Sequence, residues 1–190
     1  MSIKKMIVVS PFNGTKPKIH PTVFIAKDAV IIGDVEIGAY VNIWFGAKIR
    51  GDWGKIVIGE NTSIQENCVI HSTVNGLCKI GRNVTLGHLS MVHGPTIIGD
   101  STLVGIGASI LQNSKIGTGV ILGSGSIVRG EVEDNCLYAG IPATKKKEYP
   151  TRRMGEWGSN LYVENGQKFK KAGLGQEIPE EFLITDYSSS

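Results

Sequence analysis

The chain has 190 residues, 41% of them hydrophobic, which suits one domain able to bury a core of its own. Its 20 basic and 17 acidic side chains leave a net charge of +3 and are mixed along most of the sequence, so the electrostatic case for a nucleic-acid or membrane partner falls away. Cys68, Cys78 and Cys136 are odd in number and lack CxxC spacing, so the expectation is a reduced, cytoplasmic setting without a disulfide framework.

Residues 1–18 read as an N-terminal lead-in and cap. Their apolar run, Met6 to Val9, is too short for a signal-peptide core, and no segment of the chain approaches membrane-spanning length. From residue 19 a six-residue ruler begins: Ile19, Ile25, Ile31, Ile37, Ile43, Ile49. After three extra residues it resumes at Ile58, Ile64, Ile70, and after four more at Ile80, Leu86, Val92, continuing in sixes to Val128. All eighteen positions are Ile, Leu or Val, and the residue four places on is usually small or β-branched, as at Ala29, Thr62, Cys68 and Ser90.

A period of six matches neither an amphipathic helix nor a simple strand. It suits short strands with a corner after each, the aliphatic side chain pointing inward and residues such as Gly81-Arg82-Asn83 supplying the corner backbone. Three strands close a triangular coil of eighteen residues, and six coils account for residues 19 to about 133. The expected fold is all-β, a parallel β-helix of about six triangular coils over residues 19–143. Stacked at about 4.8 Å, the coils would form a prism about 30 Å long. Residues 144–190 are expected to form a C-terminal α-helix and a tail.

Three of the four histidines, His71, His88 and His93, fall in adjacent coils. His71 and His93 are 22 residues apart, one coil of 18 plus the four-residue insertion. They should therefore stack directly on the third face, close enough for two imidazoles to share one ion. His88 lies on the second face, around a corner, so one chain does not gather all three. Three prisms about a threefold axis would do so, giving three identical interfacial sites in a closed homotrimer. Three histidines with an open position are the ligand set of a catalytic ion. His20, isolated before Pro21, reads as structural.

The ruler resembles the hexapeptide repeat of the left-handed parallel β-helix, and the handedness comes from that resemblance alone. More specific motifs resemble the γ-class carbonic anhydrases and their close relatives: RGD at Arg50 to Asp52, IGENTSIQENCVIH ending at His71, Gly87-His88, VHG around His93, and YAGIPA from Tyr138. The resemblance implies that His71, His88 and His93 bind the metal, the first and third from one subunit and the second from its neighbour. It also implies reversible hydration of carbon dioxide to bicarbonate. Zinc is the expected ion, although histidine nitrogens suit iron, cobalt and nickel as well. Gln65 matches a glutamine that orients the attacking water. Arg50 and Asp52 would hold the pocket shape. Glu66, where the family more often has aspartate, would pair with Arg50 across the interface.

The chain departs from the best-studied branch of that family. That branch has a glutamate after the aspartate and an acidic loop with a proton-shuttling glutamate. This chain has Trp53 and the uncharged loop Ser72 to Gly76. Both insertions, Trp53 to Val57 and Thr73 to Lys79, are expected to leave the prism beside the site. An acyl-coenzyme A thioesterase using the same metal, a hexapeptide acyltransferase and a non-catalytic scaffold subunit stay open as alternatives. In residues 151–171, Met154, Trp157 and Leu161 recur at helical spacing and read as the packing stripe, while Gly155, Gly158 and Gly166 weaken the helix. Tyr162 is a candidate for the edge of the site. Residues 172–190 read as an extended arm or disordered tail.

Overall fold

In the computed structural model, which describes residues 6–150 and 154–184, the inward aliphatic residues end short strands that pair in parallel from coil to coil. The second face stacks Phe24–Ile25, Asn42–Ile43, Ser63–Ile64, Thr85–Leu86, Leu103–Val104 and Ile121–Leu122. Cys136–Gly140 adds a further rung, with Tyr138 paired to Leu122, so the solenoid has about seven turns rather than six. The ruler breaks after Val128 because the next coil is two residues shorter: Val132, four residues on, pairs with Ile116, and Tyr138, six further, pairs with Leu122. Ala143–Glu148 then pairs antiparallel with that rung and ends the parallel ladder. At the other end, Ile7–Val8 of the lead-in pairs with Ile31 and Ile32. No described helix is long and apolar enough to cross a membrane.

The first insertion bulges out of the ladder within a continuous strand: Gly33 pairs with Gly51 and Val35 with Ile56, so Asp34 alone stands opposite Asp52 to Lys55. Lys48–Ile58 is one eleven-residue strand that passes from the third face onto the first face of the next coil, as Val30–Ile37 does beneath it. The second insertion turns at Thr73 to Gly76 and lies directly on the first: Asn75 N donates to Trp53 O at 3.0 Å. A Cβ on Gly54 would overlap the carbonyl oxygens of Thr73 and Gly76, so the close approach requires glycine. The two insertions make a ledge beside His71.

Met154–Lys171 is the C-terminal helix, and it crosses the second face. It packs through a different stripe from the one expected. Gly155, Ser159 and Gly166 are buried, while Trp157 is 65% exposed and Leu161 is also exposed. Glycine gives the helix its contact surface: a Cβ on Gly155 would stand 2.5 Å from the Thr102 carbonyl carbon. Thr85 Oγ1 donates to Gly155 O at 2.9 Å, and Phe169 packs against Phe24 and Trp44. Residues 172–184 are not a free arm. Gln176 Nε2 donates to Ala26 O and Ala29 O, Leu183 bridges Ile19, and Phe182 is buried, so this segment closes the first coil. The expected tail beyond 184 lies outside the described residues.

Candidate functional site

Strand pairing builds the site before any side chain is considered. Lys48–Ile58, Val69–Ser72 and Met91–Gly94 are successive rungs of the third face, and their register puts Arg50, His71 and His93 in one outward column. The His71 and His93 rings lie 5.5 Å apart, edge to face. Beside them runs a groove of about 420 Å³ whose walls include Val30, Ile32, Val69 and Met91. His88 is reached by a different route, at the corner after the second face, as its neighbours' hydrogen bonds record: Leu89 N donates to Glu66 O, and Gly107 N to His88 O. Among the described residues, no group of three His, Cys, Asp or Glu side chains within metal-ligand distance includes a histidine. The one such group is Glu133, Cys136 and Glu148, whose two carboxylates already hold the Lys145 ammonium.

Polar groups around the histidines fix their directions. Asp52, 5% exposed, accepts from Arg50 Nη1 at 2.7 Å through Oδ2. Its other oxygen lies 3.3 Å from His71 Nε2, and both of these atoms are buried without a hydrogen-bond partner. A carboxylate oxygen facing an imidazole nitrogen in a buried space is costly unless a proton or cation joins them. Burial, with the Arg50 guanidinium as the next cause, holds the His71 pKa below its ordinary value, partly opposed by Asp52. A lowered pKa keeps the ring neutral, the form that ligates metal. The site therefore fits a divalent ion both in its nitrogen donors and in its orphaned buried atoms.

Glu66 does not reach Arg50 within the protomer: its Oε2 lies 2.7 Å from His88 Nδ1, while Arg50 is engaged by Asp52. A carboxylate on one ring nitrogen fixes the tautomer and leaves the other nitrogen available. Gln65, 5% exposed, accepts the His88 backbone N–H through Oε1 at 3.1 Å. Behind the same corner, the Cys68 thiol donates to Gly87 O at 3.2 Å and lies 3.3 Å from Ser90 Oγ, and burial pushes its pKa up. Cys68 thus pins the corner from within.

Tyr162 lies on the helix with its ring against Trp44, and burial together with the nearby Glu66 raises its pKa. His20 is held locally, with Nδ1 2.8 Å from Thr22 Oγ1. Trp53 has a larger part than its position in the sequence indicates. Its ring lies 5.3 Å from that of His71 and 5.5 Å from the Arg50 guanidinium carbon. Sequence reasoning also missed Leu89, a left-handed residue at a corner where other coils have Gly46, Asn67, Gly107 and Gly125. Aligning the coils by the ruler would have exposed it.

The profile of the bacterial transferase hexapeptide (six repeats) family matches residues 16–51 and 95–130. Over 167 residues the chain is 36% identical to a protein named carbonic anhydrase from Geobacillus kaustophilus, covering 86% of this chain and 91% of that one. Carnitine operon protein CaiE of Escherichia coli is 36% identical over 134 residues, covering 70% of this chain and 68% of CaiE. Among solved structures, a Bacillus cereus protein assigned as an acetyltransferase superposes with a TM-score of 0.82 at 33% identity, covering 88% of this chain and 99% of that one.

Proposed function

The chain belongs to the hexapeptide-repeat family that includes γ-class carbonic anhydrases and CaiE, and from that premise we propose that it is a metal-dependent carbonic anhydrase, hydrating carbon dioxide reversibly to bicarbonate in a homotrimer. The observation that carries the proposal is the ladder that stacks His93 on His71, with His71 Nε2 buried without a hydrogen bond and 3.3 Å from the Asp52 carboxylate. His71 and His93 of one copy and His88 of the next would hold the ion, with zinc first and iron, cobalt or nickel able to take the same nitrogens. When bound, that ion supplies a Lewis acid that activates water near neutral pH.

The chain's own groups do the rest. Gln65, fixed by the His88 backbone N–H, orients the attacking water with its amide. Arg50 and Asp52 lock one another and hold His71 at the groove edge, while Glu66 aims His88. The apolar walls of the groove suit a small uncharged substrate. Hydration also releases a proton, and the uncharged ledge at Ser72 to Gly76 carries no group to take it. Three buried free cysteines accord with a reducing, cytoplasmic location.

Metal content per chain, measured on protein purified without chelators, tests the proposal together with stopped-flow carbon dioxide hydration and a His88→Ala control. About one metal per chain, with hydration lost in the variant, supports it; absence of metal even after reconstitution defeats it. The likeness to the Bacillus cereus protein favours one second function, acyl transfer from acyl-coenzyme A at the same groove. Acetyl-coenzyme A consumed only when an acyl acceptor is present would select that alternative, whereas metal without hydration but with hydrolysis of the thioester would point to a thioesterase.

A further inference from the structure

The ledge borders a second cavity, of about 400 Å³, that the carbon dioxide reading leaves unused. Trp53 is common to both regions: its indole borders this cavity, while its ring lies 5.3 Å from that of His71. Strand register builds the wall. Val35 pairs with Ile56 and Lys55 with Leu77, so Asp34, Lys55 and Leu77 stand side by side at outward positions, one place before the buried Val35, Ile56 and Cys78. The floor is fixed as well. A Cβ on Gly51 would stand 2.5 Å from the Asp34 carbonyl oxygen, and one on Gly54 would overlap the carbonyl oxygens of Thr73 and Gly76, so backbone lies on backbone without slack.

Charge selects the ligand. Lys55 Nζ lies 3.0 Å from Glu36 Oε2, and that hydrogen bond is the first cause raising the Lys55 pKa, with the field of Asp34 adding to it. One ammonium therefore answers two carboxylates, and the wall keeps a surplus negative charge at Asp34. Trp53 supplies the second attraction. The Arg50 guanidinium carbon already sits over its ring at 5.5 Å, held there by Asp52, and the indole, the aromatic group that attracts cations best, is still 46% exposed. Leu77 offers apolar contact, and Asn13 and Asn75 bring amides to the rim. An anion would meet Asp34 and Glu36 at a cost, and a neutral molecule would forfeit both attractions.

We propose that the ledge cavity is a binding site for a small organic cation of the alkylammonium class, taken up between the Trp53 indole and the Asp34 carboxylate. The site is separate from the groove beside His71 and His93 and needs neither a metal nor a second copy of the chain. Choline serves as the probe, set against its uncharged analogue with a tert-butyl group in place of trimethylammonium. Heteronuclear NMR of the chelator-treated full chain follows the Trp53 indole N–H, identified by its disappearance in Trp53→Phe. Choline should shift that signal saturably, and the analogue should bind about tenfold more weakly, having lost the ring and carboxylate attractions together.

Two substitutions should act in opposite directions. Asp34→Asn should weaken choline about two- to fivefold by removing the surplus charge, and Lys55→Gln should strengthen it by a similar factor by removing the internal competitor. Loss of fold cannot imitate both results. Four outcomes overturn the proposal: no saturable shift of the Trp53 signal, equal binding of the uncharged analogue, an equal shift with potassium chloride at the same concentration, or unchanged choline binding in Asp34→Asn. Because the protein is stripped of metal, a chain that binds choline but never takes up a metal ion defeats the metal-site proposal and leaves this one standing.

Discussion

Replacing Gly155 with alanine sets helix propensity against packing, and packing should win. In an exposed helix the change would stabilise by about 1 kcal/mol. At this position the added Cβ would stand 2.5 Å from the Thr102 carbonyl carbon and 2.6 Å from that of Ser101. Ordinary contact begins near 3.4 Å, so the N-terminal turn must lift by almost 1 Å against backbone held by the hydrogen bonds of Thr85 N to Thr102 O and Ser101 N to Arg82 O. Overpacking of that kind costs about 1–3 kcal/mol. The Thr85 Oγ1 bond to Gly155 O, 2.9 Å long, would be lost at a cost of about 0.5–1.5 kcal/mol. The net effect should be a destabilisation of about 1–3 kcal/mol, or a Tm lowered by roughly 2–4 °C for each kcal/mol. Gly158→Ala is the control: its Cβ would meet only the Thr85 hydroxyl, at 2.8 Å, and a side chain can yield. That variant should stay within about 1 kcal/mol of wild type. Urea unfolding followed by circular dichroism measures both. A Gly155→Ala protein at least as stable as wild type would refute docking of the helix through glycine.

The ledge and the core yield further expectations. Trp53→Ala should weaken Co(II) binding about 3- to 10-fold by freeing the His71 ring and the Arg50 guanidinium, and Trp53→Phe should recover most of it. Competition with a chelator reads the affinity, and equal values for alanine and wild type would rule out a positioning role. With Asp52 bonded to Arg50 and Glu66 against His88, proton release should depend on external buffer. Hydration turnover should rise at least about tenfold with imidazole buffer, and Asn75→Glu should raise it in weak buffer; turnover independent of buffer would contradict this. Burial pushes the Cys78 thiol up to about 12 from its ordinary 9. The folded state binds that proton more tightly than the unfolded state, so the stability it confers is present below pH 9 and is lost as pH rises towards 12. Alkaline unfolding scans should show a shallower loss for Cys78→Val, and parallel curves would count against the buried thiol as the cause.

The core was legible because one face of every strand repeats a single requirement: Ile19 to Val128 satisfy it across two insertions, and their register follows once Ile, Leu and Val are read as inward. The same ruler located the His71 and His93 column, since strand pairing ties sequence separation directly to position. It broke after Val128, where the coil is shortened by two residues and Val132 takes the inward place beside Ile116. The helix was harder to read. Its contact face is made of Gly155, Ser159 and Gly166, residues that carry no hydrophobic signal and lower helix propensity, whereas Trp157 and Leu161 carry the signal and face outward. The fold-back of residues 172–184 depends on single long-range contacts of Gln176 and Phe182, which have no period to reveal them. Glu66 was expected to pair with Arg50 of a neighbouring copy; within the protomer its carboxylate meets His88.

Inward residues of a solenoid meet only the coils above and below, so they determine stability and register and leave the chemistry to the outward columns. This explains how a carbonic anhydrase, a carnitine operon protein and a protein assigned as an acetyltransferase can share more than 30% identity with one chain. It also limits where the function of this chain can reside. On the third face the ladder fixes Arg50, His71 and His93 relative to one another, whereas His88 sits in a separate column at the corner after the second face. A change in the outward column of Arg50, His71 and His93 therefore alters the chemistry with little effect on the core.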